Sequence, residues 1–132
     1  MAGKYRILVR VYRKIMGFSV PDFAKKIGVH LPIYRAWEND EIESVEITKK
    51  TMPLVKNVPA TIEARLLACF FIYGMSIFDK RSKTYIGCSY GHYRRIIRGK
   101  AEVKKRIEIF AKHLLDFEEF KKEALNEGGD NG

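Results

Sequence analysis

Apolar residues recur at three- and four-residue steps from the start of the chain. Tyr5, Leu8, Val11, Tyr12, Ile15 and Met16 form one stripe, which predicts a helix from about Lys4 to Met16, ended by Gly17. Tyr5, Ile7, Val9 and Val11 also alternate as a strand would, but the stripe persists to Met16 and favours the helix. Ser19 stands three residues before Asp22, and Pro21 falls where a missing N–H does little harm, so a capped helix is predicted over 20–27. Gly28 follows, and its lack of a Cβ permits the positive φ of a tight interhelical turn. A third helix is predicted over 31–38, with Pro32 in its first turn and Tyr34 and Trp37 spaced to point inward together.

Beyond Asn39 the chain turns polar and acidic (Asp40, Glu41, Glu43, Glu46), then reads as irregular as far as Pro59, so residues 46–58 are the best linker between a first unit (1–45) and a second (59–100). Ala60 to Tyr73 reads as a helix burying Ile62, Leu66, Leu67, Phe70 and Phe71, stopped by Gly74. The opening design then returns. Gly17, Phe18, Ser19 and Asp22 become Gly74, Met75, Ser76 and Asp79, and Ile27, Gly28, Tyr34 and Arg35 become Ile86, Gly87, Tyr93 and Arg94 with two residues inserted between. A tandem duplication explains this, as does chance likeness of two short helical segments. A long helix, about Ala101 to Leu125, carries Val103, Ile107, Phe110, Leu114 and Phe117 as a heptad-like seam, widened by Ile109, Leu115 and Phe120. This segment, 101–127, is expected to cover the core or join two copies. Residues 128–132 read as a disordered tail.

The chain has 132 residues, enough for one compact domain or two very small ones, and its 46% hydrophobic share excludes a mainly disordered protein. The net charge is +9, and ten basic residues against the single acid Glu102 lie between Lys80 and Arg106, so that window carries all of it. Such clustering favours a polyanionic partner. Cys69 and Cys88 are too few for a disulfide framework, and the run Leu66 to Tyr73 is far short of the ~20 residues that span a bilayer. A soluble, cytoplasmic protein without membrane contact is expected. Three histidines (His30, His92, His113) and no paired carboxylates in a recognisable frame predict no enzyme and no cofactor. Cys88 and His92 are four apart, but zinc needs three or four ligands, so no metal site is expected.

The segment GFSVPDFAKKIGVHLPIYRAWEND, residues 17–40, resembles the helix-turn-helix of lambda-repressor-like, Cro-type DNA-binding proteins. The likeness rests on the capping Ser19, the small Ala24, the corner Gly28, the apolar Tyr34, and Trp37-Glu38-Asn39 at the end of the second helix. It implies an all-α fold of two helix-turn-helix units in tandem plus a long C-terminal helix. It also implies a sequence-specific regulator, most commonly a repressor, acting as a homodimer on double-stranded DNA.

The family's base-facing positions fall here on Leu31, Pro32, Ile33 and Ala36, none of which can donate or accept a side-chain hydrogen bond, and Val20 stands where a phosphate-binding Gln is frequent. The first unit is therefore expected to serve protein contact, with Lys25, Lys26, His30 and Arg35 as secondary DNA candidates. In the second unit the resemblance puts Tyr90, His92 and Arg95 at the base-reading positions. Ser89, Arg94, Arg98, Lys100, Lys104 and Lys105 are then expected on phosphates. Lys83, four before Gly87 where Ala24 precedes Gly28, departs from the pattern. A solvated basic helix face is the simpler reading of the same arginines. A protein-binding module with an acidic partner, or an antitoxin-like partner using the apolar first unit, and an RNA binder stacking bases on Tyr90 and Tyr93 are the rival functions.

Overall fold

The computed structural model describes residues 3–73, 95 and 115–129, and every regular element among them is helical. These are α1 (Lys4–Ile15), α2 (Val20–Ile27), α3 (Leu31–Glu38), α4 (Val45–Val55), α5 (Ile62–Tyr73) and α6 (Phe117–Glu127). The protein is all-α over these residues. The chain divides into two units, one of residues 1–59 with 119–132, the other of residues 60–118.

The first unit is built around α1. Tyr5, Leu8, Val11 and Tyr12 of the predicted stripe are buried, but so are Ile7 and Val9, so the helix is enclosed on most sides rather than along one line. Met16, expected at the end of the stripe, is exposed, because α1 stops at Ile15 and the chain turns at Gly17 with φ 79°. Phe23, Ala24 and Ile27 of α2 and Tyr34 and Trp37 of α3 close one side of this core. Their rings interlock: Phe23 lies 5.5 Å from Tyr34 in an edge arrangement, and Trp37 lies 6.0 Å from Tyr34 and 6.2 Å from Tyr5.

Residues 46–58, expected as a linker, instead contain most of α4, which packs on α1 and α2. Ser44 starts it, accepting the Ile47 N–H at 3.1 Å. Ile47, Thr51 and Val55 recur every four residues and are buried. Thr51 is tolerated there because its hydroxyl donates to the Ile47 carbonyl at 2.8 Å and meets the Tyr5 hydroxyl at 2.6 Å. Burial raises the Tyr5 pKa, and the bond to Thr51 opposes the shift. Pro53 lies inside α4 near its end, where one lost ladder bond is tolerated.

In the second unit α5 begins at Ile62 rather than Ala60, because Thr61 caps it, its hydroxyl accepting the Ala64 N–H at 3.2 Å. Leu66 and Leu67 are buried as the stripe predicts, Cys69 is buried beside them in sequence, and Phe71 is half-buried; the side chains of Ile62 and Phe70 lie outside the described set. Burial pushes the Cys69 thiol up to about 12, with the nearby Arg65 charge acting the other way. The single long helix expected from about Ala101 to Leu125 is not continuous, since Leu115 and Asp116 are not helical and α6 starts at Phe117. The seam residues Val103, Ile107, Phe110 and Leu114 lie outside the described residues.

The end of α6 returns to the first unit. Phe120 and Ala124 are buried, Glu127 accepts the Lys4 and Tyr5 backbone N–H groups, and the Lys121 ammonium donates to the Val58 carbonyl at 2.9 Å. The tail expected to be disordered from Gly128 is held at its first residue: the Gly128 N–H donates to the Ala124 carbonyl at 3.0 Å. A Cβ on Gly128 would stand 2.6 Å from the Tyr5 ring and 2.9 Å from Met52 Cε. The methionine end can move aside, whereas the Tyr5 ring is fixed by its hydroxyl. Gly128→Ala is therefore expected to cost about 1 to 3 kcal/mol by overpacking. The check is the urea midpoint of the first unit followed by fluorescence of Trp37, the only tryptophan. Residues 130–132 lie outside the described set.

Candidate nucleic-acid interface

The best-formed candidate interface is the pair α2 and α3, two eight-residue helices joined by Gly28, Val29 and His30. Each end has a local cause. The Ser19 hydroxyl accepts the Asp22 N–H at 3.2 Å, and Pro21 sits in the first turn of α2. Gly28 closes α2 in the left-handed conformation, φ 71° and ψ 38°, which a side chain would strain. Its N–H reaches the Lys25 carbonyl, and the Val29 N–H reaches the Ala24 carbonyl at 2.9 Å. The Lys50 ammonium donates to the Gly28 carbonyl at 3.1 Å while pairing with Glu46 at 2.9 Å, so α4 braces the corner.

With Tyr34, Trp37 and Glu38 buried, α3 turns Pro32, Ala36 and Asn39 outward, with Ile33 and Arg35 on either flank. Ile33 is 46% exposed and Pro32 is exposed, while Leu31, expected to be equally open, is half-buried. The outward surface of the first turn thus offers no side-chain hydrogen-bonding group toward a base edge. Lys25, Lys26, His30 and Arg35 are all exposed. The lysines stand in the last turn of α2 and His30 at the start of α3, so three of the four flank the corner, with Arg35 one turn on. The Lys26 ammonium lies 5.5 Å from the Phe18 ring centroid.

Of the base-reading set expected in the second unit, Arg95 is helical and exposed. Tyr90 and His92, and the phosphate candidates Ser89, Arg94, Arg98, Lys100, Lys104 and Lys105, lie outside the described residues.

Sequence reasoning missed an ionic network behind α3. Arg13 Nη2 and Nε meet the two Glu38 carboxylate oxygens at 2.7 and 3.1 Å, and its Nη1 donates to the Phe18 carbonyl at 3.1 Å. Arg10 faces the same carboxylate at 3.5 Å. Arg6 pairs with Asp40 at 3.1 Å and Glu43 at 2.8 Å, donates to the Trp37 carbonyl, and stacks 5.0 Å from the Trp37 ring centroid. The Tyr34 hydroxyl is buried beside Arg13 and Glu38 without a well-formed hydrogen bond, and burial followed by the Glu38 charge holds its pKa well above the usual tyrosine value. The one legible signal was Arg6, Arg10 and Arg13 recurring opposite an acid-rich stretch at 38–46. A cavity of about 370 Å³ lies beside this network, lined by Tyr5, Arg6, Trp37, Asp40, Glu43 and Glu127 among others.

Among the described residues, no group of three or more His, Cys, Asp or Glu side chains converges as metal ligands would, and no helix is long and apolar enough to cross a membrane. No protein family, curated protein or solved structure matches the chain.

Proposed function

We propose that the protein is a sequence-specific, double-stranded DNA-binding regulator of helix-turn-helix type, repressor-like and cytoplasmic, working as a homodimer and without enzymatic activity. The observation that carries the reading is the α2–α3 pair: a Ser-capped helix, a left-handed glycine corner, and a second helix pinned by buried Tyr34 and Trp37 with its other face outward. The tandem arrangement belongs to this proposal and rests on the sequence repeat. Because the outward residues of the first turn of α3 offer no base-reading donor, the first unit acts as scaffold. The second, basic unit collects phosphates through Arg94, Arg98, Lys100, Lys104 and Lys105 and reads bases with Tyr90, His92 and Arg95. The exposure of Arg95 on a helix is compatible with that role.

Selection of bound fragments from a random duplex library, repeated at two ionic strengths, tests the reading. Affinity should fall steeply with salt, because each neutralised phosphate releases counterions. Arg95→Ala is expected to cost about 1 to 3 kcal/mol and relax preference at one base, whereas Lys104→Ala should weaken all sequences alike. A flat salt dependence, or preference for single-stranded RNA of equal length, would replace the duplex reading with one of its rivals.

A further inference from the structure

The first unit is assembled from both ends of the chain: residues 119–132 belong to it although the chain reaches them only through residues 60–118. What they supply is specific. α1 has neither a side-chain cap nor an acid in its first turn, and Glu127 of α6 makes good that lack by accepting the Lys4 and Tyr5 N–H groups at 3.3 and 3.5 Å. One turn back along α6, Glu123 pairs with the Lys4 ammonium. Phe120 and Ala124 are buried, and Gly128 lies against the Tyr5 ring with no room for a Cβ. The dock on the first unit thus takes a helix with this apolar spacing, two carboxylates one turn apart and a terminal glycine.

We propose that the same dock takes α6 of a second copy, the two chains exchanging their C-terminal helices across a two-fold axis. Among the described helices only α6 carries acids four apart followed by a glycine, and a second copy carries that sequence whole. The docking contacts are identical whether α6 comes from the same chain or from its partner, so they cancel, and the balance is set by concentration and by the connection into α6. That connection is Leu115 and Asp116, which are not helical, yet the three- and four-residue steps of Phe110, Leu114, Phe117, Phe120 and Ala124 run across them without glycine or proline. Winding both residues onto α6 lengthens it by about 3 Å and brings the chain in roughly half a turn further round, which moves the helix off the path to its own dock. Each copy gives one α6 and receives one, so no dock is left empty and the assembly closes at two. The inference rests on the homodimer proposed above and not on DNA as the ligand.

Equal batches of the full chain in natural and isotopically heavy form, unfolded together and refolded at high concentration without nucleic acid, test it. Sedimentation velocity should show a dimer. Carbodiimide then joins the Lys4 ammonium to the Glu123 carboxylate that it touches, and mass spectrometry of the dimer fraction should find about half of the Lys4–Glu123 pairs carrying one isotope of each kind. The variants Lys4→Glu and Glu123→Lys each oppose like charges within themselves but match one another at both docks, so refolding them together should strengthen association at least about threefold over either alone. Trp37 fluorescence shows that each is folded. A dimer whose pairs are all of one isotope, or no gain on mixing the variants, would overturn the exchange while leaving a homodimer built elsewhere. A wild type that stays monomeric at every concentration would overturn the exchange and the homodimer reading together.

Discussion

Replacing Glu38 by alanine is expected to destabilise the first unit by about 3 to 5 kcal/mol, the cost of removing one partner from a buried ion pair. The side chains of Glu38 and Arg13 are each only 6% exposed, and both carboxylate oxygens are committed to the Arg13 guanidinium. Without Glu38, Arg13 keeps only the Phe18 carbonyl, and its charge stays out of water with nothing to offset the desolvation. The penalty comes from the orphaned charge rather than from a lost attraction. Removing both charges together, with Arg13→Met and Glu38→Leu, should therefore cost much less than Glu38→Ala, since an apolar pair of similar volume often replaces a buried ion pair without loss. The cycle of single and double variants measures this coupling, read as urea midpoints by Trp37 fluorescence. A loss below about 1 kcal/mol for Glu38→Ala, the size found for exposed pairs, would mean that water reaches the site.

That network was the least legible part of the first unit, and the reason is physical. Three- and four-residue spacing identifies α1, α2 and α3 because local signals stand at their ends: Ser19 and Pro21, Gly28, and Pro32 coincide with the edges of the apolar pattern. Arg6 and Arg13 stand off that apolar spacing in α1. Their burial depends on Glu38, Asp40 and Glu43, more than twenty residues away, and no periodicity within α1 encodes that partnership. The competing strand pattern in α1 has the same origin, since a helix enclosed on most sides carries apolar residues such as Ile7 and Val9 off its main stripe. α4 was hidden because the middle of its inward line is Thr51, a core residue only once the Tyr5 hydroxyl and the Ile47 carbonyl satisfy it. The non-helical Leu115 and Asp116 that precede α6 include no glycine or proline, so the apolar repeat ran across them. The exposure of Lys25, Lys26, His30 and Arg35 was readable, because all four stand off the apolar stripe of their helices or in the turn between them.

Trp37→Ala is expected to cost about 3 to 5 kcal/mol, through lost transfer energy and the cavity left behind. The side chain is 1% exposed and supports three neighbours at once: the Tyr5 ring at its edge, the Tyr34 ring at 6.0 Å, and the Arg6 guanidinium over its face. Arg6 is also held by the Trp37 carbonyl, which the substitution keeps, so the ion pairs to Asp40 and Glu43 should outlast the ring. The α2–α3 pair depends on the same contact, because Tyr34 bridges Trp37 to Phe23 across the two helices. Since small domains are stable by only about 5 to 15 kcal/mol, the loss should leave the first unit unfolded or close to it. The substitution removes the fluorescent probe, so the check is the urea midpoint from far-ultraviolet circular dichroism, alongside Trp37→Phe. Phenylalanine restores most of the buried ring and should recover more than half of the loss. Equal destabilisation by both substitutions would mean that the indole itself, rather than the volume it fills, holds α3 in place.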